Sequence, residues 1–86
     1  DRQKFEELKS TVAKLSNNNA QLLQLVEEME STAGSSTYNS KYQEFMANAA
    51  NHVTVLQGVA PLLGWLAGLV TAQIVLTLTM IDYYYT

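Results

Sequence analysis

The sequence predicts an all-α chain: an N-terminal heptad helix, a Gly/Ser turn, and a second amphipathic helix that continues into an apolar helix, either membrane-spanning or the core of an assembly. Three observations predict it. Apolar residues recur at alternating spacings of three and four from Phe5 to Met29, a second apolar face at helical spacing begins at Tyr38, and no formal charge occurs between Phe45 and Ile81. The resulting elements are a coiled-coil helix over 1–31, a turn over 32–37, an amphipathic helix over 38–58, an apolar helix over 59–82 and an aromatic tail over 83–86.

In the first element, Phe5, Leu8, Val12, Leu15, Asn19, Leu22, Val26 and Met29 form a coiled-coil seam. With Phe5, Val12, Asn19 and Val26 at a, and Leu8, Leu15, Leu22 and Met29 at d, the pattern favours two parallel strands. Asn19 is then the one polar seam residue, and a buried amide there fixes register and partner number at a cost in stability. Leu23 and Leu25 fall at e and g, so the stripe broadens towards its end and predicts contact with a third element. The plainer alternative is an amphipathic helix packing on the second helix of its own chain. Asn17-Asn18-Asn19 is a poor helix centre and fits that alternative better.

The first helix should end at Ser31-Thr32-Ala33-Gly34-Ser35-Ser36, with Gly34 suited to a left-handed cap. Beyond it Tyr38, Tyr42, Phe45, Ala49, Val53 and Leu56 form one face of a second helix, and Ser40-Lys41-Tyr42-Gln43 fits a capping box at its start. The turn length allows an antiparallel hairpin.

From Pro61 to Ile81 there are 21 residues without a charge, which matches the roughly 20 needed to cross a bilayer core. Pro61 suits the first turn of such a helix, where its missing N–H has no partner to lose. The ten Leu, Ile and Val residues of this stretch favour insertion by on the order of 3 to 6 kcal/mol, offset in part by Gln73, Thr71, Thr77 and Thr79. Trp65 near one end and Tyr83, Tyr84 and Tyr85 past the other take the places of an aromatic belt. Ala60, Gly64, Gly68 and Ala72 repeat every four residues, and Gly64 with Gly68 makes a GxxxG pair where a second backbone can approach. Small residues are also simply common in membrane helices. The same apolar helix would serve as the buried core of a helical filament, and its end, where Leu76, Leu78 and Met80 alternate with threonines, has some strand character.

All five basic residues precede this span, which favours a cytoplasmic N-terminal side, although the nearest, Lys41, is distant. Only five residues follow Ile81, the layout of a tail anchor. No basic stretch followed by an apolar run stands at the start of the sequence, so a secretory signal is not expected there.

The helix, Gly-containing turn and aromatic-bearing helix between Glu6 and about Leu63, with Gly34, Tyr38 and Phe45 as its marks, resemble the small secreted helical hairpins of type VII secretion. That resemblance implies a two-helix hairpin. The family carries Trp-x-Gly at the turn; here it is Thr32-Ala33-Gly34, and the family's C-terminal segment is polar where this one is apolar. No functional residue transfers.

Chemistry is sparse. With no cysteine, disulfides and thiolate catalysis are excluded. A net charge of −3 argues against non-specific nucleic-acid binding. His52 is the one histidine, and a metal site or catalytic constellation needs convergent partners that its neighbourhood lacks. No phosphate-binding loop, nucleophile motif or carboxylate pair occurs, and the glutamates cluster on helix faces suited to solvent. The expectation is therefore not an enzyme, with no cofactor, no metal and no small-molecule substrate. The expected function is a small membrane-anchored helical subunit, self-assembling through the heptad seam (Leu8, Val12, Leu15, Asn19, Leu22, Val26, Met29) and the small-residue stripe (Gly64, Gly68, Ala72), or docking on a larger complex. The alternative is an extracellular filament, tube or pore subunit whose apolar helix is buried between protomers.

Overall fold

The computed structural model describes residues 2–85, with side chains described as far as Val70. The described chain is helical throughout: α1 (Arg2–Leu15), α2 (Ala20–Thr32), α3 (Tyr38–Ala49) and α4 (Val53–Tyr85). Each helix packs on the ones before and after it, and α1 closes the ring against α4.

The cross-helix contacts fix the directions. Lys9 of α1 reaches Glu30 near the end of α2 (3.6 Å), and Glu28 of α2 reaches Lys41 of α3 (3.4 Å). Tyr38, the first residue of α3, touches Leu66 well along α4. Phe5 meets Trp65 while Leu15, at the other end of α1, lies against Gly58. Neighbours are thus antiparallel, and the architecture is an up-down-up-down four-helix bundle. The molecule is 51 Å in its longest direction and 24 by 20 Å across. The length is that of α4 alone, since 33 helical residues span about 50 Å.

The single helix expected over 1–31 is two helices, and the three asparagines explain the break. Asn18 N–H bonds to the Ala13 carbonyl at 2.9 Å, closing a Schellman-type end to α1 in which Asn17 takes the left-handed conformation (φ 55°). Asn18 is left-handed as well (φ 60°), a conformation that asparagine tolerates better than most residues. Asn19 then caps α2: its Oδ1 accepts from Leu22 N–H at 3.0 Å, while its own N–H donates to Ser16 Oγ at 3.1 Å. Asn19 is therefore a helix cap in a turn, not a buried amide in a seam.

Gly34 has the expected left-handed backbone (φ 87°) in the turn after α2. Thr32 closes that helix by donating its hydroxyl to the Glu28 carbonyl at 2.7 Å. α3 starts at Tyr38, before Ser40, and Thr37 at its N-cap makes no side-chain capping bond, so the capping box at Ser40 does not form.

The second helix also ends earlier than its pattern suggests. α3 stops at Ala49, the chain turns through Ala50-Asn51-His52, and α4 begins at Val53. This resets the apolar phase. Val53, placed by its spacing on the inner face, is the one large hydrophobic residue exposed among the described residues, while Val55, Val59, Leu62 and Leu66 point inward. Pro61 is not at a first turn; it lies inside α4. It returns no N–H to the Gln57 carbonyl one turn back, and both residues are on the exposed side where water reaches them.

The core is one contiguous cluster. α1 contributes Phe5, Leu8 and Val12; α2 Leu22, Leu25, Val26 and Met29; α3 Tyr38, Phe45 and Ala49; α4 Val55, Val59, Leu62 and Leu66. The broad stripe at Leu23 and Leu25 follows from α2 facing both α1 and α3. The two-helix hairpin implied by the type VII resemblance is not the fold, because the same stretch is broken at Asn17–Asn19 and again at Ala50–His52.

Candidate functional site

The residues marked by the sequence for association divide into three groups. Leu8, Val12, Leu22, Val26 and Met29 are fully buried inside the chain's own core. Leu15 is partly covered and rests on Gly58, where its Cδ1 occupies the space that a Cβ would need. In the closed bundle, then, the seam residues meet one another within one chain, with no apolar stripe left open along α1 and α2.

Gly64 and Gly68 behave differently. Both face outward on α4, and a Cβ at either would meet no heavy atom within 4 Å. Ala60 shares this exposed side. Ala72 continues the spacing along α4, but its side chain lies outside the described residues, as do those of Tyr83, Tyr84 and Tyr85.

Trp65 sits beside Leu66, the last fully buried residue of α4 among the described ones. Its ring meets Phe5 edge-on with centroids 4.7 Å apart, and the Lys4 ammonium lies 5.6 Å from the ring centroid. It is half-buried, with α1 on one side and open space on the other. Tyr38 is at the same level, fully buried apart from its hydroxyl's bond to the Leu66 carbonyl. Burial, and to a lesser degree the neighbouring Tyr42, pushes the Tyr38 phenol above its ordinary range.

Charges are arranged for holding the bundle together. Glu28 and Glu30 lie near the C-terminus of α2, where the helix dipole disfavours them, and a lysine from each neighbour answers them: Lys9 from α1 and Lys41 from α3. The hydrogen bond and charge of Glu28, with the charge of Glu44, raise the Lys41 pKa. Among the described residues no charged side chain is buried, and no three His, Asp or Glu side chains converge on a point that could hold a metal ion. His52 is exposed in the turn before α4.

Lys4, Tyr38 and Gly58 carry contacts that their sequence positions did not advertise. Tyr38 had a usable signal, since a tyrosine on a core face needs a partner for its hydroxyl. Gly58 had a weaker one, a glycine between the inward residues Val55, Val59 and Leu62. Lys4 had none.

α4 holds one window, Val53–Val70, that is long and apolar enough to cross a membrane, and 22% of that window is buried within the chain. The core helix of a soluble bundle passes the same test of length and composition. Comparison with protein-family models, curated proteins and solved structures finds no match to the chain.

Proposed function

We propose that the chain is a small membrane-anchored structural subunit, in which α1–α3 and the first half of α4 form a head and the rest of α4 enters the bilayer as a single span. The observation that carries this reading is the continuity of α4. One helix supplies a wall of the core, with Leu69 and Val70 still resting on it among the described side chains, and runs on, uncharged until Asp82, to Tyr85. In this reading the work of the head is association, with copies of itself or with a larger membrane complex. The exposed stripe of Ala60, Gly64 and Gly68 supports close helix packing. The heptad residues are covered in the closed bundle and would serve association only if it opened.

A second reading is favoured by the same stripe: an extracellular filament, tube or pore in which the apolar α4 is buried between protomers. Fractionation separates the two. A chain retained by membranes through alkaline carbonate washing and released by detergent as a small oligomer fits the anchored subunit. A regular polymer recovered without detergent rejects it in favour of the second reading.

A further inference from the structure

We propose that the end of the bundle from which α4 emerges is a phospholipid headgroup-binding collar: Trp65 lies at headgroup level, Lys4 over its ring and Arg2 on the same first turn of α1 contact lipid phosphates, and the bundle stays closed above the surface. The inference rests on the reading of α4 as a membrane span and adds to it the depth of the head, its orientation and its lipid chemistry.

Four observations converge on this end. Among the described residues the last fully buried one of α4 is Leu66, and Leu69 and Val70 beyond it are only partly covered against the core, so the cover of the helix thins just past Trp65. Tyr84 lies nineteen positions after Trp65 on the same unbroken helix, a rise of about 29 Å, and a bilayer hydrocarbon core is about 30 Å thick. Pro61 gives the opposite limit. The Gln57 carbonyl that it leaves without an N–H partner is satisfied in water and costly in lipid, so the window from Val53 is ill suited to the hydrocarbon and the buried span starts after Pro61.

The surroundings of Trp65 supply the fourth. Tyr38 contacts α4 at Leu66, so the turn before it lies at this end too, and residues 33–37 of that turn are exposed and carry no charge. Arg2 and Lys4 are exposed on the first turn of α1, with Lys4 over the indole. Of the nearby acidic groups, Glu30 and Glu6 are held by Lys9 at 3.6 and 4.0 Å, and Glu7 is exposed. Hydroxyls, an indole and two cations make a surface suited to the polar zone of a bilayer.

Trp65 is the chain's one tryptophan, so its emission reads the depth directly. The whole chain is mixed with phosphatidylcholine vesicles, with and without phosphatidylserine, containing lipids brominated either near the headgroup or near the chain end. Strongest quenching by the shallow label is expected. Lys4→Gln should weaken association with the phosphatidylserine vesicles by about fivefold, and Arg2→Gln by a similar factor, with Lys4→Arg restoring binding and circular dichroism unchanged. Strongest quenching by the deep label overturns the collar, since α4 would then have withdrawn from the bundle. Equal binding by the doubly neutralised variant overturns its phosphate chemistry. A chain that sediments with vesicles while Trp65 is quenched by neither label rejects the collar alone; a chain that does not sediment with vesicles rejects the membrane reading as well.

Discussion

The phenol of Tyr38 donates a 2.8 Å hydrogen bond to the Leu66 carbonyl oxygen, tying the first residue of α3 to the last fully buried residue of α4 among the described ones. The carbonyl belongs to a helix and keeps a second lone pair for its own ladder, so the bond adds to the helix without competing with it. Tyr38→Phe removes one hydrogen bond and no packing volume. The expected loss is about 1 kcal/mol, measured by denaturant unfolding.

The same bond predicts a pH dependence. The phenol is raised above its ordinary value in the folded state by burial. Its contribution is therefore fully present below the unfolded tyrosine pKa of about 10 and is lost as pH rises beyond that, because only the unfolded chain readily gives up the proton. Melting temperature should fall above this pH in the parent chain. In Tyr38→Phe the fall should be shallower, leaving the part due to Lys41, whose raised pKa acts in the same direction.

Asn19 distinguishes a bundle from a coiled coil by the sign of one substitution. At a buried a position, an apolar residue in place of asparagine stabilises the rod and loosens its register. As the cap of α2, Asn19→Leu removes the bond to Leu22 N–H and should cost about 1 kcal/mol, with Asn19→Asp close to neutral. Thermal unfolding of the two variants decides it.

The heptad pattern shows what could be read in the sequence and what could not. Phe5, Leu8, Val12, Leu22, Val26 and Met29 are all core residues, so the spacing identified the apolar faces of α1 and α2 correctly. It could not tell one long helix from two short ones. A hairpin whose arms each turn a stripe to the same core repeats at three and four as a rod does, and only the backbone habits of Asn17, Asn18 and Asn19 carry the difference. The phase of α4 was lost for a related reason. Val53 and Leu56 extend the spacing of α3, and the turn at Ala50–His52, with no glycine or proline, gives little sign that the phase restarts at Val55. The absence of charge from Phe45 to Ile81 was legible throughout, because it needs no knowledge of where helices begin.

The glycines of α4 make opposite predictions. At Gly58 a larger side chain meets Leu15, so Gly58→Val should destabilise the fold by about 1 to 3 kcal/mol, and adding Leu15→Ala should recover part of that loss. At Gly64 and Gly68 nothing stands in the way. Alanine there should stabilise the monomer by up to about 1 kcal/mol through helix propensity alone. If the exposed stripe packs against another helix, Gly64→Leu should weaken association while leaving unfolding of the head nearly unchanged; sedimentation and calorimetry on one sample read both.

Leu8 and Leu15 separate folding from assembly. Leu8 is completely covered, and Leu8→Ala should cost about 2 to 5 kcal/mol, a large part of the stability of a domain this small. Leu15 is partly covered at the end of α1. Leu15→Asp should lower stability without changing the mass of any oligomer held through α4. Loss of the oligomer with the head still folded would instead place the contact on α1.

No loop joins the head of this molecule to its tail. The polypeptide passes from core to extension within α4, so the two share one rigid axis, and the heading of the head is set by the tilt of the helix that carries it. A tethered domain samples a hemisphere of directions; this one is mounted like a vane on its shaft. If α4 spans a bilayer as proposed, neighbouring copies would all present the same side at the same height, and a change in the lean of the shaft would swing α1–α3 through the same angle.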